Sequence, residues 1–552
     1  MGKGGCIPTA AANASSSNLR TSTNAKLKQV TPTLLASKTS IDECWIAYEG
    51  EVFDVTHWLA KHPGGIRSIM SAAGSDASSV MKSLHAPSTL NTFMKRIRKV
   101  GVLVKEVDDN DTDTDTDTDT DTSIVSNGNS KEHDGNVDCK IQIEKKRKQL
   151  KTQERSDAIH KDFQALNQKL LDEGWFDAHP LDYILPIARV VLFMVFGVNM
   201  ISYADGVDNM ILKCLSILLG GLSLGLYLQN IAFMGHDAGH GSVTGNFKSD
   251  LWFGFFVGNA FAGIDVGWWK STHYVHHSAT NSLHDDPDIQ HMPLLCFDER
   301  FGDSKWSTYH GRYMPLDAIG QKLLPYQHWY YYPVMAVARI NLYIQSFIHL
   351  ARTCPFLGDR RKAGDKVIDE TTGEVKEMYA WPTPTPTVWV ASVISISFYW
   401  FMVYSFLSQL KMSTAIASFT ICHLTSGLLH VQILLSHVAM HYCEDGHGTS
   451  EAITAPNGND AAGYYEWQAL STMDVDCHPW MDWFHGGLQF QLEHHLFPRV
   501  PRWQLRKLCA LTDSIFAKYD VPVVRIPFVE ANIMVLNHMA KVGAKVAKMK
   551  SV

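Results

Sequence analysis

Four long runs with almost no charge restrict this 552-residue chain more than any other feature. Residues 183–203 are almost wholly apolar with Arg189 as their one charge, and 214–228 are uncharged, continuing less strictly to Met234. Residues 388–407 are uncharged, and 414–440 carry no charge beyond three histidines. A helix needs roughly 18–20 apolar residues to cross a bilayer core, so each run is expected to span a membrane. Two other runs are read as interfacial or buried: 251–264 is too short, and 329–350 contains Arg339, Asn341, Gln345 and His349. The four spans pair into two hairpins whose turns, 204–209 and 408–413, hold Lys411 as their only base. Lys145–Lys148, Arg360, Arg361, Lys362, Arg499, Arg502, Arg506 and Lys507 collect on the other side. The excess of Lys and Arg in cytosolic loops then places both termini and the large loops in the cytosol.

Histidines mark the chemistry. His236-Asp237-Ala238-Gly239-His240 spaces two imidazoles at i and i+4, and His273-Tyr274-Val275-His276-His277 gives i, i+3 and i+4. Gln491-Leu492-Glu493-His494-His495 repeats that pattern with Gln in the first place. On a helix such positions share one face, so each cluster gathers its ring nitrogens in a small volume. Imidazole suits iron, copper or zinc, and seven histidines exceed what one four-coordinate zinc needs. The count suits two metals. If neither weak apolar run crosses, an even number of crossings separates every pair of clusters, and all three share one compartment. Residues 414–440 as a helix would measure about 40 Å, overshooting a ~30 Å core and carrying His437 and His441 to the same face, with His430 two turns deeper. His437 is a candidate ligand, the alternative being a hydrogen-bonded core histidine. His284, His291, His478 and His485 lack the spacing and are read as structural or supporting.

The N-terminal third is polar, which is why the mean hydropathy is only −0.09. Residues 1–30 are rich in Ser, Thr, Ala and Asn, lack the apolar run of a secretory signal, and are expected to form a disordered arm. A plastid transit peptide would share that composition. Residues 31–107 read as a small folded unit with a hairpin around Glu49-Gly50-Glu51. In it His62-Pro63-Gly64-Gly65 precedes His85 by 23 residues, a pair able to clamp a haem iron from two sides. Residues 108–175 hold an (Asp-Thr) run, expected to be a disordered, self-repelling spacer, then a basic juxtamembrane stretch. Nine acids between Glu106 and Thr122 account for the formal charge of −7: without them the count is 49 bases against 47 acids. No nucleic-acid partner is expected. The ten cysteines are scattered without a C-x-x-C, the pattern of reduced thiols.

With these motifs in hand, residues 31–107 resemble a cytochrome b5 domain, and 176–530 resemble a front-end membrane desaturase of fatty-acyl or sphingolipid chains. Gln491 in the third cluster is the hallmark of the b5-fusion subgroup. The implied fold is a small α+β haem domain followed by an all-α membrane domain with four transmembrane helices and a cytosolic histidine-rich cap, then a basic tail at 531–552. By the resemblance, His62 and His85 would hold haem b. His236, His240, His273, His276, His277, His494 and His495 would hold two irons, Gln491 would orient or weakly contact the site, and His437 would be an extra ligand. It further implies a lipid substrate, O2, a cytochrome b5 reductase and the endoplasmic reticulum membrane. Trp268-Trp269-Lys270, Asp286–Pro293, Tyr326–Tyr343 and Gly486–Pro501 look closest to sphingolipid Δ8-desaturases, though Δ6 acyl desaturases share much of them. A lipid hydroxylase on the same scaffold and a non-enzymatic haem-binding membrane protein are the competing classes.

Overall fold

The structure, a computed structural model, describes residues 28–104, 133–357, 366–368, 375–379, 381–444, 453–454, 460–461 and 463–549. The expected disordered arm, apart from Lys28–Val30, lies outside the described residues, as do the (Asp-Thr) spacer and the basic run Arg360-Arg361-Lys362.

The small unit is built on the expected hairpin. Strands β1 (Lys28–Val30), β2 (Trp45–Tyr48), β3 (Glu51–Asp54) and β4 (Arg98–Leu103) form one sheet in the order β1-β4-β3-β2. Strand β1 runs parallel to β4, and the other pairs are antiparallel. The β2–β3 turn places Glu49 and Gly50 at φ 53° and 74°, the left-handed pair that matches strand twist in a two-residue hairpin. Short helices inserted between β3 and β4 carry the clamp: His62 closes the turn Thr56–Lys61, and His85 closes the helix Ser78–Leu84.

A 40-residue helix, His133–Asp172, follows. Its apolar positions Ile159, Phe163, Leu166 and Leu170 recur at helical spacing and are buried. Phe163 stacks on Tyr465 at 4.3 Å and meets Phe516 at 5.1 Å, so one core joins the small unit to the histidine-bearing layer.

Among the described residues, five helical stretches, not four, are long and apolar enough to cross a membrane: Pro180–Gly206, Met210–His240, Ala318–Arg352, Pro386–Leu407 and, counted across a break at Gly427, Met412–Leu435. The additional one contains the run set aside in sequence for its polar residues. Those residues are accommodated because helical spacing puts Met335, Arg339, Tyr343, Ser346 and Leu350 on a buried face, while Val337, Ile340, Ile344 and Phe347 stay exposed. Arg339 is fully sequestered, donating to the Tyr343 hydroxyl (2.9 Å) and the Ala262 carbonyl (2.7 Å). Both ends of this helix are tied to the histidine-bearing layer. Gln327 exchanges hydrogen bonds with Cys296, and His349 Nδ1 lies 2.5 Å from Asp265.

The run 414–440 is not one helix. It breaks at Gly427 into Met412–Ser426 and Leu428–Leu435. A Cβ at Gly427 would stand 2.5 Å from the Ala336 backbone, so glycine here permits helices to touch main chain to main chain. The C-terminal stretch also differs from a plain basic tail. It forms the helix Phe528–Val546, whose Ala531, Val535, Met539, Val542 and Val546 are buried against the cap.

Candidate metal and haem centres

Each histidine cluster sits where a helix ends or is capped. The helix Met210–His240 stops at Gly241 (φ 72°), leaving His236 and His240 one turn apart at its tip. Trp269 packs so closely there that a Cβ on Gly239 would stand 1.9 Å from its ring, which explains the glycine inside the first cluster. Asp265 caps the helix Val266–Ser278, accepting from Gly267 and Trp268 N–H, and so fixes the direction of His273, His276 and His277. The third cluster lies on the short buried helix Gln491–Leu496.

These elements converge. One ring nitrogen from each of His236, His240, His273 and His494 lies within 4.8 Å of the others, and His276, His437 and His495 form a second such group. His277 joins the two, its Nε2 3.0 Å from that of His273 and its ring stacked at 4.2 Å on His495. All seven cluster histidines and His437 therefore come together. His441 and His430 join neither group. The four histidines set aside in sequence also stay outside, and of these His284 binds the Trp306 carbonyl and His291 lines the cavity beside the centre.

Tautomers in the second group are fixed from behind. His276 Nδ1 faces Asp286 at 2.9 Å, His437 Nδ1 donates to the Ser471 carbonyl (3.2 Å), and His495 Nδ1 donates to Gln468 Oε1 (2.9 Å). Each then presents Nε2 inward, the arrangement by which supporting groups orient metal-binding imidazoles. Burial alone would lower His276, but Asp286 and Asp288 override it and favour its protonated form, so a metal ion bound at Nε2 would have to displace that proton while Nδ1–H stays on Asp286. In the first group, Nε2 of His236, His240 and His494 is buried without a hydrogen-bond partner. Several lone-pair donors left unsatisfied in one dry volume are costly unless cations take them. The donor set fits two metal ions. Gln491 inserts its amide among the tips, 3.1 Å from Nε2 of both His437 and His495.

Asp286, Gln468 and Ser471 were missed as functional residues in sequence. Only Asp286 had a signal there, in the acidic pair Asp286-Pro287-Asp288 that follows the second cluster. A further acidic group, Asp474, Glu493 and Cys509, is a brace. Asp474 accepts from the Leu492 N–H (3.0 Å), and Arg525 pairs with both carboxyls. The expected cytosolic-face bases are likewise engaged: Arg502 Nε donates to Asp237 (2.6 Å), and Arg506 Nε to Asp482 (3.1 Å).

In the small unit, the rings of His62 and His85 stand 5.9 Å apart by centroid, with Nδ1 bonded to the carbonyls of Gly65 (3.3 Å) and Met81 (3.0 Å). Nε2 of each is left as the lone-pair donor. Burial, then His85, pushes His62 down to about 4, keeping it neutral and able to ligate. A Cβ on Gly64 would lie 3.0 Å from the His62 ring, and Gly65 sits at φ 85°. That is why two glycines follow His62-Pro63.

A cavity of about 510 Å³ opens onto the centre past His236, His273, His276 and Gln491. Along the helix Gln327–Arg352 its wall changes from Val334 and Met335 to Asn341 and Gln345, so an apolar end faces Leu429 and Leu434 and a more polar end faces Tyr309. Gln345 lies eleven helical steps after Val334, about 16 Å.

Fold and site together define an integral membrane oxidoreductase in which a haem domain is joined to a two-metal histidine centre beside an apolar cavity. Comparison with known proteins agrees: residues 213–527 match the family described as fatty acid desaturase, and 31–104 match the cytochrome b5-like heme/steroid binding domain. A Delta(8)-fatty-acid desaturase 2 from Arabidopsis thaliana is 30% identical over 92% of each chain. A Delta 8-(E)-sphingolipid desaturase from Komagataella phaffii is 30% identical over 91% of each. An acyl-lipid (9-3)-desaturase from Borago officinalis is 26% identical over 92% of each. The chain belongs to the fatty acid desaturase family and carries a fused cytochrome b5 domain.

Proposed function

We propose that this enzyme introduces a Δ8 double bond into the long-chain base of a sphingolipid, using O2 and electrons relayed from a cytochrome b5 reductase through its own haem domain. The observation that carries this reading is the apolar cavity that runs past His236, His273 and His276 and turns polar near Tyr309, as a chain with a polar head requires. Similarity to Δ8 desaturases over 91–92% of each chain supports the position of the bond. His62 and His85 hold the haem. His236, His240, His273 and His494 hold one iron, His276, His437 and His495 the other, and His277 stands between them. When bound, the two irons supply with O2 the oxidising power that unactivated methylenes demand. The chain's own part is to bind and orient. The cavity wall excludes water and presents adjacent methylenes, Gln491 closes the space between cavity and ligands, and Asp286 holds His276 by Nδ1. The enzyme resides in the endoplasmic reticulum membrane with its termini and the histidine layer on the cytosolic side.

Expression in a yeast lacking such unsaturation tests the substrate. Δ8-unsaturated long-chain bases should appear, whereas unsaturation confined to fatty acids would replace this reading by an acyl-lipid one, and a hydroxylated product by a hydroxylase. Asp286→Asn is expected to weaken iron binding about 10–100-fold, as losses of ligand-orienting groups do, measured as iron retained per protein during chelator titration. Unchanged retention would remove Asp286 from that role.

A further inference from the structure

Each half of the haem clamp touches one of the metal-ligand segments. Ser83, two residues before His85, donates its hydroxyl toward the carbonyls of His495 (3.1 Å) and Leu496 (2.9 Å). Ser71, nine residues after His62, lies 2.9 Å by Oγ from Ser278, the residue following His277. All three serines are buried. The Tyr464 hydroxyl reaches the same His495 carbonyl (3.1 Å). Other contacts hold the approach without touching a ligand segment: Ser79 bonds His160 (2.7 Å), and the Arg67 guanidinium lies 4.3 Å over the Trp381 ring. Hydroxyls satisfied across a buried boundary specify one pose, where a tether alone would give only high local concentration.

We propose that this contact carries electrons from the haem to the metal pair, and that Ser83 is the positioning residue that sets it. The inference rests on the functional reading above. Main chain from His85 to Ser83, one hydrogen bond, and the main chain of His495 make a continuous connection between a haem ligand and a metal ligand. The group of His276, His437 and His495 is therefore the first to be reduced. In each transfer one electron leaves the reduced haem, which becomes oxidised, and one metal ion is reduced by one. An external one-electron donor re-reduces the haem. Two transfers and two protons, with two hydrogens taken from the lipid, reduce O2 to two waters.

The test uses the full chain loaded with haem and iron. Its haem is reduced anaerobically with dithionite and mixed with O2 and phosphatidylcholine vesicles containing ceramide, while haem absorbance is followed. Ser83→Ala should keep haem spectrum and iron content yet slow haem oxidation about tenfold, near the upper range for one buried hydrogen bond. Ser83→Thr, which retains the hydroxyl, should recover most of the rate. Ser79→Ala, which loses the contact with His160 across the boundary but none to a ligand segment, should lose less than Ser83→Ala. Oxidation of Ser83→Ala at the native rate, equal losses in Ser83→Ala and Ser79→Ala, or no recovery in Ser83→Thr would each overturn the proposal. If iron-loaded and iron-free native chains oxidise their haem equally fast, the functional reading falls with it.

Discussion

Arg502→Met is expected to destabilise the histidine layer by about 3–5 kcal/mol, the usual cost of breaking one side of a buried ion pair. Asp237, inside the first cluster, accepts from Arg502 Nε at 2.6 Å and from the Tyr183 hydroxyl at 2.6 Å. Arg502 opens the helix Arg502–Lys518 that follows the third cluster. The pair therefore ties first and third clusters together, and Met leaves the buried carboxylate with only the Tyr183 hydroxyl and the His236 ring beside it. Thermal unfolding in detergent should shift down, with iron lost at lower temperature than in the native protein. Adding Asp237→Asn should restore much of the loss, because the uncompensated charge is gone. An unchanged midpoint for Arg502→Met would show that the pair contributes nothing to the layer.

Much of this centre was legible because its determinants are local. Spacings of three and four on helices bring His236 to His240, and His273 to His276 and His277, whatever the tertiary fold. The hairpin at Glu49-Gly50 and the paired glycines after His62 are equally local, since they answer backbone requirements at single positions. His437 was only half legible. It follows the helix Leu428–Leu435 in a turn and is aimed by the Ser471 carbonyl, a partner 34 residues away. Arg339 misled the reading of the fifth apolar helix, because a hydropathy window weighs a charge without knowing which face carries it. Arg502 and Arg506 were read as markers of sidedness, yet their partners Asp237 and Asp482 come from other elements. Ser71 and Ser83 had no signal at all, as serine acquires its role here from what the fold sets opposite it.

His62→Ala should abolish haem binding and desaturation while leaving the membrane domain folded and its iron in place. The His62 ring is held by the Gly65 carbonyl and walled by Gly64, and it makes none of the contacts that join the haem domain to the histidine layer. Those contacts run through Ser71 and Ser83, with Ser79 and Arg67 holding the approach, so the haem-free domain should remain seated. Seating has a consequence for rescue. A separate soluble cytochrome b5 must reach the carbonyl of His495, and the haem-free domain already covers it. Added cytochrome b5 should therefore restore little desaturation to His62→Ala, and restore more when Ser71→Arg and Ser83→Arg are introduced to drive the domain off that face. Product analysis in a strain without its own cytochrome b5, with and without the added protein, measures both effects. Normal desaturation by His62→Ala in that strain would remove the haem domain from the electron path. Full rescue by added cytochrome b5 with the docking serines intact would show that the covered face is not where electrons arrive.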